Sequence, residues 1–247
     1  MLTIIQVGNN PASNTYVRNK VRAVMEAGMD AALVMLEETA TTEDVINQVK
    51  RAAACEICKA IIVQLPLPKH VDKSAVLAAI PPEKDIDGLH PHSEYKPLTP
   101  CAIMRWLKEK GVDLVGKNVT ILGRSELVGK PLANMMIDAG ATVTVCNSHT
   151  NNATMQLSCC CADIVVSAVG KHNVVNGSCV DMSGRQIFID VGINRDDNGK
   201  LCGDLSDWAK VRITEAGSEY TPVPGGVGRW TVRELVLRLK EMEGIFE

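Results

Sequence analysis

Apolar segments of strand length alternate with amphipathic segments of helix length along most of this chain. In its first third, predicted strands at residues 2–7, 31–36 and 60–64 are each followed by a predicted helix, at 16–27, 42–54 and 73–80. Four more strand-like runs, at 119–122, 142–146, 164–169 and 187–191, have helical segments between them. This alternation predicts βαβ units, and therefore an α/β fold with parallel sheets.

The two alternating series indicate two α/β lobes. Residues 81–100 contain five prolines and few apolar positions, which is typical of a connector. A last helical run, at 231–243, follows the glycine-rich segment 222–228 and is expected to return to the first lobe. We therefore predict one domain at residues 1–98 and 230–247 and a Rossmann-like domain at 99–229, with a cleft between them.

A glycine turn opens the second lobe. The apolar run that ends at Leu122 breaks at Gly123, and a helical pattern begins at Gly129. A glycine turn before a helix leaves backbone N–H groups unpaired and pointing outward, which suits a phosphate group. The spacing is not G-x-G-x-x-G, so the turn alone is a weak dinucleotide signal. Gly170 and Gly192 also end apolar strands, where they either admit a cofactor to the backbone or are plain turn glycines.

Composition and charge narrow the class of protein. The net charge of −3 over 247 residues, without a run of basic residues, gives no electrostatic case for nucleic acid. No apolar stretch approaches the roughly 18 residues that a membrane helix needs, and the start lacks a signal-peptide pattern. The spacing of the nine cysteines is not that of a disulfide framework or a zinc site. Cys55 and Cys58 form a lone C-x-x-C, which is expected on a helix. We therefore expect reduced thiols, no metal site and a cytoplasmic location.

The second predicted strand of the Rossmann-like domain favours NADP over NAD. Folds that bind NAD carry an acid about 20 residues after the glycine turn, where it hydrogen-bonds the adenosine ribose. Here that strand ends in Asn147, Ser148 and His149, with no carboxylate, and Arg124 directly follows the first glycine. A guanidinium and a hydroxyl suit a 2′-phosphate, which an acid would repel. The alternative is that Arg124 is a solvated loop residue and Ser148 a turn residue.

The first lobe carries candidate groups for proton transfer and for substrate binding. Tyr16 and Lys20 share one face of a predicted helix, where a lysine can donate and accept protons; a surface pair is the alternative. Gln64 follows a buried strand, and the prolines after it stiffen its position. Asp85 and Asp87 are expected on opposite sides of an extended segment, so that one faces the cleft. A carboxylate can bind the N–H/NH₂ edge of a pterin, although a loop acid is the simpler explanation.

Taken together, these motifs resemble one family, the bifunctional methylenetetrahydrofolate dehydrogenase/methenyltetrahydrofolate cyclohydrolases of the FolD type. The matching stretches occur in the family's order over nearly the whole chain. They are VGNNPAS (7–13) leading to Tyr16-x-x-x-Lys20, VQLPLP (63–68), PEKDIDG (82–88), GRSxxVGKP (123–131), AVGK (168–171), DVGIN (190–194), Gly203-Asp204 and TPVPGGVG (221–228). Each stretch alone is weakly specific, whereas their combination in this order is highly specific.

The resemblance implies two reactions in one cleft. The enzyme would oxidise 5,10-methylenetetrahydrofolate with NADP⁺ and then hydrolyse the methenyl product to 10-formyltetrahydrofolate. Lys20 would be the central catalytic residue, assisted by Tyr16 and Gln64, and Asp87 would hold the pterin edge. Further implied contacts are with the folate at Ser13, Tyr16, Gln64, Pro224, Gly225 and Gly226, and with NADP at Gly123, Arg124, Ser125, Ser148 and Ile193.

The resemblance also implies a folate substrate with or without a polyglutamate tail, a role in one-carbon metabolism and purine biosynthesis, and a homodimer formed through the nucleotide domain. The chain departs from the family pattern at Leu98, Asn147 and Arg229-Trp230, where Cys, His and Pro-Met are usual. It also lacks the usual helical segment before the first strand, as expected of a truncated or alternative-start chain. Two alternatives stay open, namely a dehydrogenase without cyclohydrolase activity, either NADP- or NAD-linked, and a non-catalytic binder of folate or nucleotide.

Overall fold

Two parallel β-sheets organise the chain, one in each of two units. The computed structural model describes residues 1–196 and 198–245. Unit 1 comprises Met1–Leu98 with the chain from Val232 onward, and unit 2 comprises Thr99–Thr231. Both main sheets are parallel and are flanked by helices, so the predicted α/β class is confirmed.

Unit 1 is built on three parallel strands. These are β1 (Leu2–Val7), β2 (Ala31–Leu36) and β3 (Ala60–Val63), and the helices between and after them are α1 (Pro11–Glu26), α2 (Thr42–Ala54) and α3 (Lys73–Ala78). The strand order is β2-β1-β3, so β1 is central, and all of its residues are buried. Such burial is expected of a parallel strand that is covered on both faces. One face packs Ile5 and Val7 with α2 and α3, and the other packs Leu2 and Ile4 with α1.

Unit 2 is built on five parallel strands in a doubly wound arrangement. The strands of this sheet are β4 (Asn118–Leu122), β5 (Thr142–Cys146), β6 (Ile164–Ser167), β7 (Ile187–Asp190) and β10 (Glu219–Tyr220). Two further strands, β8 (Asn194–Arg195) and β9 (Leu201–Cys202), form a separate antiparallel pair. The helices of unit 2 are α4 (Leu98–Glu109), α5 (Gly129–Asp138), α6 (Asn152–Cys160), α7 (Asp207–Glu215) and the start of α8 (Val227–Met242), whose remainder belongs to unit 1. The sheet order is β10-β7-β6-β4-β5, with α4 and α5 packed on one face and α6 and α7 on the other.

Several predicted boundaries are corrected by the structure. Helix α1 begins at Pro11, because proline suits the first helical turn and Asn10 Oδ1 accepts the N–H of Ser13 at 3.2 Å. Helices α4 and α8 begin inside segments predicted as connector and loop, and the short strands β8, β9 and β10 are not among the predicted elements. Cys55 and Cys58 do not lie on a helix, since α2 ends at Ala54 and the chain turns before β3.

None of the helices in residues 1–196 and 198–245 combines the length and the hydrophobicity of a membrane-spanning segment. The same residues contain no group of three or more His, Cys, Asp or Glu side chains placed to hold a metal ion.

Candidate active site

The carboxyl ends of β1 and β3 bring several predicted site residues of unit 1 together. Because β1 lies between β2 and β3, the ends of β1 and β3 flank a topological switch point, where open α/β sheets bind ligands. Gln64 directly follows β3, and its backbone N–H donates to Ile5 O at 2.8 Å, which continues the sheet hydrogen bonding. Helix α1, which follows β1, carries Ser13, Tyr16 and Lys20.

Lys20 contacts the other three residues of the predicted catalytic set. Its side chain is buried, with an exposed fraction of 4% for the residue. Its Nζ donates to Gln64 Oε1 at 3.4 Å, lies 3.9 Å from Asp87 Oδ2, and lies 5.4 Å from the centre of the Tyr16 ring. The alternative of a surface pair of Tyr16 and Lys20 does not fit this burial.

The start of α1 is tied to the end of β1, which fixes the face that carries Lys20. Gln6, on β1, donates from Nε2 to Asn14 Oδ1 at 2.6 Å, and Asn14 Nδ2 in turn donates to Asn9 Oδ1 at 2.6 Å. Ser13 is buried on the same helix, three residues before Tyr16 and seven before Lys20. This spacing places all three side chains on one helical face.

Gln64 presents its amide oxygen to Lys20. Its Nε2 donates to Leu65 O at 2.7 Å, so the amide nitrogen is already used by the backbone next to it. The oxygen is then free to accept from Lys20 Nζ. This assignment of the two amide atoms follows from the hydrogen bonds that each can make.

Asp85 and Asp87 occupy a turn, so the predicted extended segment is wrong. Gly88 N–H donates to Asp85 O at 3.2 Å, which closes the turn, and Gly88 has a φ of 70° that favours glycine. Asp85 is buried, and its Oδ2 accepts the N–H of His90 at 2.7 Å. Asp87, with an exposed side-chain fraction of 18%, is the carboxylate that meets Lys20.

The environment of Asp87 favours its neutral form more than water does. Burial is the largest cause and raises the pKa of Asp87, and the charge of Lys20 opposes that increase. The nearby Asp85 carboxylate raises the pKa further, and the Arg238 guanidinium lowers it. Asp87 is thus an acid whose ionisation depends on two cations, one from α1 and one from α8.

In unit 2 the predicted glycine turn lies at the switch point of the sheet. Strand β4 has β5 on one side and β6 on the other, so the ends of β4 and β6 flank the ligand-binding crevice expected of this topology. A Cβ at Gly123 would lie 2.5 Å from Ala168 O, and one at Gly129 would lie 2.2 Å from Gly123 O. Only glycine allows these backbones to approach so closely.

The predicted outward-pointing N–H groups of this turn are partly satisfied by the chain itself. Gly123 N–H donates to Cys146 O at 2.8 Å, and the N–H groups of Val128 and Gly129 donate to Ser125 Oγ at 3.2 and 3.4 Å. The expectation of unpaired groups is therefore wrong for these three residues. Ser125, predicted as a cofactor contact, has its hydroxyl oxygen at the start of α5.

The other predicted cofactor residues lie at the carboxyl edge of the same sheet. Arg124 follows β4 and is exposed, and Ser148 follows β5 and is exposed in a turn closed by Thr150 N–H donating to Asn147 O at 2.9 Å. Ile193, 55% exposed, follows β7. In the described residues after β5, up to the start of α6, there is no carboxylate, as the sequence indicates.

Two buried carboxylates organise the loops after β6 and β7, and sequence reasoning gave them no role. Asp204 Oδ2 accepts from Ser167 Oγ at 2.8 Å and from the N–H groups of Val169 and Gly170 at 2.9 and 3.2 Å. Its Oδ1 accepts from Lys171 N and Asn194 Nδ2, each at 2.9 Å. Asp204 thus holds the AVGK loop and β8 at the edge where the cofactor is expected.

Asp190 is the second of these carboxylates. It accepts the N–H groups of Gly192, Asp204 and Leu205 at 3.1, 2.9 and 3.1 Å. Burial raises its pKa to about 6, against the lowering effect of these hydrogen bonds, and the Asp204 charge adds to the increase. A pKa raised by folding gives stability that is complete below the ordinary aspartate pKa of about 4 and is lost as the pH rises through about 6.

Two glycines of the recognised motifs are explained by these carboxylates. A Cβ at Gly192 would lie 1.9 Å from Asp204 Oδ1, and one at Gly203 would lie 1.9 Å from Asp190 Oδ2. Gly192 is therefore required by protein packing, which accounts for it without a cofactor. Gly170 differs from these two, because a Cβ there would contact no atom within 4 Å. Its backbone φ of 69° is the feature that favours glycine at this position.

The remaining predicted folate contacts lie in unit 2, between β10 and α8. Pro224 and Gly225 are exposed, and Gly225 has a φ of 109°. Gly226 is buried, and a Cβ there would lie 2.6 Å from Pro222 O. The predicted folate-binding set is therefore divided between the two units, with Ser13, Tyr16, Gln64 and Asp87 in unit 1.

Comparison with known proteins gives matches in both units. A family model described as the tetrahydrofolate dehydrogenase/cyclohydrolase catalytic domain matches residues 1–87, and one described as the NAD(P)-binding domain of the same family matches residues 97–243. A bifunctional protein FolD from Streptococcus pneumoniae serotype 4 is 43% identical over 244 residues, which cover 95% of this chain and 83% of that protein.

Two solved structures share the fold over nearly the whole chain. The bifunctional FolD enzyme of Campylobacter jejuni superposes with a TM-score of 0.90 at 36% identity, covering 99% of this chain and 88% of that one. The Trypanosoma brucei FolD enzyme, solved with NADP cofactor and an inhibitor, gives a TM-score of 0.88 at 36% identity, covering 98% and 85%.

Proposed function

Because the chain belongs to the tetrahydrofolate dehydrogenase/cyclohydrolase family, we propose that it is a bifunctional enzyme of folate metabolism. It oxidises 5,10-methylenetetrahydrofolate to 5,10-methenyltetrahydrofolate with NADP⁺ and hydrolyses that product to 10-formyltetrahydrofolate. The observation that carries this proposal is the contact of buried Lys20 with Gln64, Asp87 and Tyr16 at the switch point of unit 1.

The first task of these residues is to bind the folate. Asp87 accepts hydrogen bonds from the N–H/NH₂ edge of the pterin, for which an ionised carboxylate offers two parallel acceptors. The Tyr16 ring, next to Lys20 on α1, gives the folate a flat surface to pack on. Ser13 lies on the same helical face, and Pro224, Gly225 and Gly226 are further proposed folate contacts.

The second task is proton transfer during hydrolysis. Lys20 accepts one proton from the water that attacks the methenyl carbon, which forms the new C–O bond. As the bond between that carbon and the ring nitrogen breaks, Lys20 returns this proton to the nitrogen, and the proton left on the hydroxyl group is released to solvent as the formyl C=O forms. Gln64 Oε1 accepts a hydrogen bond from Lys20 Nζ and so aims the amine. The methenyl intermediate is cationic, and Asp87, 3.9 Å from Lys20 Nζ, offsets the charge that would otherwise repel it.

The residues of unit 2 fit NADP. The crowded glycines Gly123 and Gly129 leave a narrow turn at the N-terminus of α5, and Arg124 and Ser148 follow neighbouring strands at the edge of the sheet. When bound there, NADP⁺ would supply the hydride acceptor for oxidation of the methylene carbon. Arg124 and Ser148 would hold the 2′-phosphate, and Gly123, Ser125 and Ile193 would make the remaining contacts with the cofactor.

Assays with both cofactors test the proposed function. With methylenetetrahydrofolate, the chain should form NADPH, and NADP⁺ should be preferred to NAD⁺ by about tenfold or more, since a hydrogen bond between charged groups contributes about 1.5–3 kcal/mol. Added methenyltetrahydrofolate should lose its absorbance without any nicotinamide cofactor.

Each alternative predicts a different result in the same assays. A dehydrogenase without cyclohydrolase activity would form NADPH or NADH and accumulate the methenyl compound. A non-catalytic relative would bind cofactor without turnover, and absence of NADPH would contradict the proposal. The complete contact set around Lys20 favours the bifunctional enzyme.

We further propose that the enzyme acts as a homodimer through unit 2, in the cytoplasm, within one-carbon metabolism and the supply of formyl groups for purine biosynthesis. Strand β5 is the edge of the unit 2 sheet, and its residues Thr142, Thr144 and Val145 are exposed, so it can pair with a second copy. Sedimentation equilibrium should give twice the chain mass of 26.7 kDa, and a monomer at micromolar concentration would contradict the dimer.

A further inference from the structure

Arg238 is a buried arginine of α8 that binds backbone oxygen atoms on both sides of Asp87. Its exposed fraction is 5%. Its Nη1 donates to Ile86 O at 2.8 Å and to Lys96 O at 2.9 Å, and its guanidinium lies 5.0 Å from the centre of the Tyr95 ring. One side chain therefore links the turn that carries Asp87 to the segment that precedes α4.

The two segments that Arg238 links also contact each other. Asp87 O accepts the N–H of Leu98 at 3.2 Å. Gly88 is so close to Lys96 that a Cβ at Gly88 would lie 2.5 Å from Lys96 O. Residues 87–98 thus form a closed loop, and Arg238 binds the carbonyl oxygen just before Asp87 and another near the end of the loop.

Arg238 is itself held by its own helix. Glu234 lies one turn earlier on α8, with Oε1 4.0 Å from Arg238 Nη2, and both side chains are buried. Leu235 and Leu239, which directly follow Glu234 and Arg238 in the sequence, belong to the core of unit 1. The guanidinium thus projects from a fixed position, as a residue that orients another group must.

The charges that face Asp87 come from three elements. Lys20 on α1 and Arg238 on α8 are cationic, and Asp85 in the same turn is anionic. Arg238 therefore favours the ionised form of Asp87, which is the form that accepts hydrogen bonds from a pterin.

We propose that Arg238 is a positioning residue for folate binding, which fixes the turn that presents Asp87, with Glu234 holding Arg238 in place. The inference rests on the proposed function, because the role of Asp87 belongs to that proposal. Arg238 itself touches neither substrate nor cofactor in this scheme.

Steady-state kinetics of Arg238→Met and Arg238→Lys test the inference, with Arg233→Met as the control. Arg233 lies on the same helix and is exposed. In Arg238→Met, KM for methylenetetrahydrofolate should rise by about tenfold, with a smaller change in kcat and with KM for NADP⁺ within about twofold of wild type. The acid limb of kcat/KM for the folate should move to higher pH, because loss of the guanidinium raises the pKa of Asp87.

Arg238→Lys separates charge from geometry. Lysine retains the cation, so the acid limb should return towards wild type, whereas KM should recover only in part, because an ammonium lacks the planar fork of the guanidinium. Unchanged folate KM and an unchanged acid limb in Arg238→Met would overturn the inference, as would an equal rise in both KM values. If Arg238→Met does not fold, Arg238→Lys serves as the test, and a folate KM equal to that of wild type in this variant would overturn the inference.

Hydrogen exchange separates this inference from the proposed function. In Arg238→Met the amides of Gly88, His90 and Leu98, all hydrogen-bonded in this loop, should exchange faster than in Arg233→Met, while amides of β4 and β6 keep their rates. Faster exchange in an enzyme whose wild type forms no NADPH would support the positioning by Arg238 and reject the proposed function. Unchanged exchange in an active enzyme would reject the positioning alone.

Discussion

We expect the Lys20→Met variant to lose cyclohydrolase activity by about 10²–10⁴-fold in kcat while it stays folded, because a positioned acid–base group contributes about that factor. Lys20 Nζ is the group that Gln64 Oε1 and Asp87 Oδ2 both approach, and methionine cannot accept or donate the proton there. The rate is measured from the loss of methenyl absorbance, which requires no nicotinamide cofactor.

Arg22→Met is the matched control for this variant. Arg22 lies on the same helix, its side chain is 70% exposed, and its substitution removes the same charge from α1. It should retain cyclohydrolase activity within about twofold and unfold within about 0.5 kcal/mol of wild type. Full cyclohydrolase turnover in a folded Lys20→Met variant would contradict the catalytic role of Lys20.

Lys20→Met should fold, because methionine fills most of the space of the lysine stem and the variant no longer buries an ammonium group. Of the two cations that lower the pKa of Asp87, Lys20 has the larger effect, so folate binding should weaken as well in this variant, most strongly at acid pH. Circular dichroism reports the fold, and KM for NADP⁺ should stay unchanged because the predicted cofactor residues lie in unit 2.

The buried strands could be predicted from sequence because their burial gives short, predominantly apolar runs. All residues of β1, β3 and β6 are buried, and each of these strands ends within two residues of its predicted end. The two-residue strands β8 and β9 could not be predicted, since they are too short to give a pattern and lie in loops that Asp204 and Asp190 hydrogen-bond. Tertiary contacts, and not local pattern, decide such short elements.

Only part of the candidate site could be predicted from the sequence, because some of its contacts depend on tertiary structure. The shared face of Tyr16 and Lys20 follows from helical spacing, whereas the meeting of Lys20 with Gln64 depends on the order of strands in the sheet. Asp190 and Asp204 are each a single acid beside glycines, and nothing local pairs them. The burial of Arg238 could have been predicted, because its position lies between Leu235 and Leu239 on the apolar face of α8.

Two departures from the family pattern have a structural explanation within their own units. The side chain of Leu98 packs in the core of unit 1, while its backbone N–H binds Asp87 O, a bond that does not depend on the side chain. Trp230 stacks on Trp106 with ring centres 4.3 Å apart, which gives unit 2 an aromatic pair. Neither replacement removes a group that contacts Lys20.

We expect Asp204→Asn to destabilise unit 2 by about 3–5 kcal/mol, the cost of breaking a buried network of charged hydrogen bonds. Asp204 accepts from five donors, three at Oδ2 and two at Oδ1. Asparagine replaces one oxygen by an NH₂ group, so at least two donors would face another donor. Repacking is blocked because Gly192 leaves no space beside the carboxylate.

Tryptophan fluorescence measures this effect in unit 2 alone, since all three tryptophans, Trp106, Trp208 and Trp230, lie in Thr99–Thr231. The urea midpoint of the fluorescence change should fall in Asp204→Asn. In the control Asp207→Asn the free energy of unfolding should change by no more than about 1 kcal/mol, because that side chain is 93% exposed.

The same substitution should also raise KM for NADP⁺ more than KM for the folate. Asp204 fixes Val169, Gly170 and Lys171 after β6, at the carboxyl edge that carries the predicted cofactor residues, whereas Lys20 and Asp87 belong to unit 1. An unfolding midpoint equal to that of Asp207→Asn would mean that the five hydrogen bonds stabilise the unit far less than their burial implies. In that case Gly192 would need an explanation other than packing against Asp204.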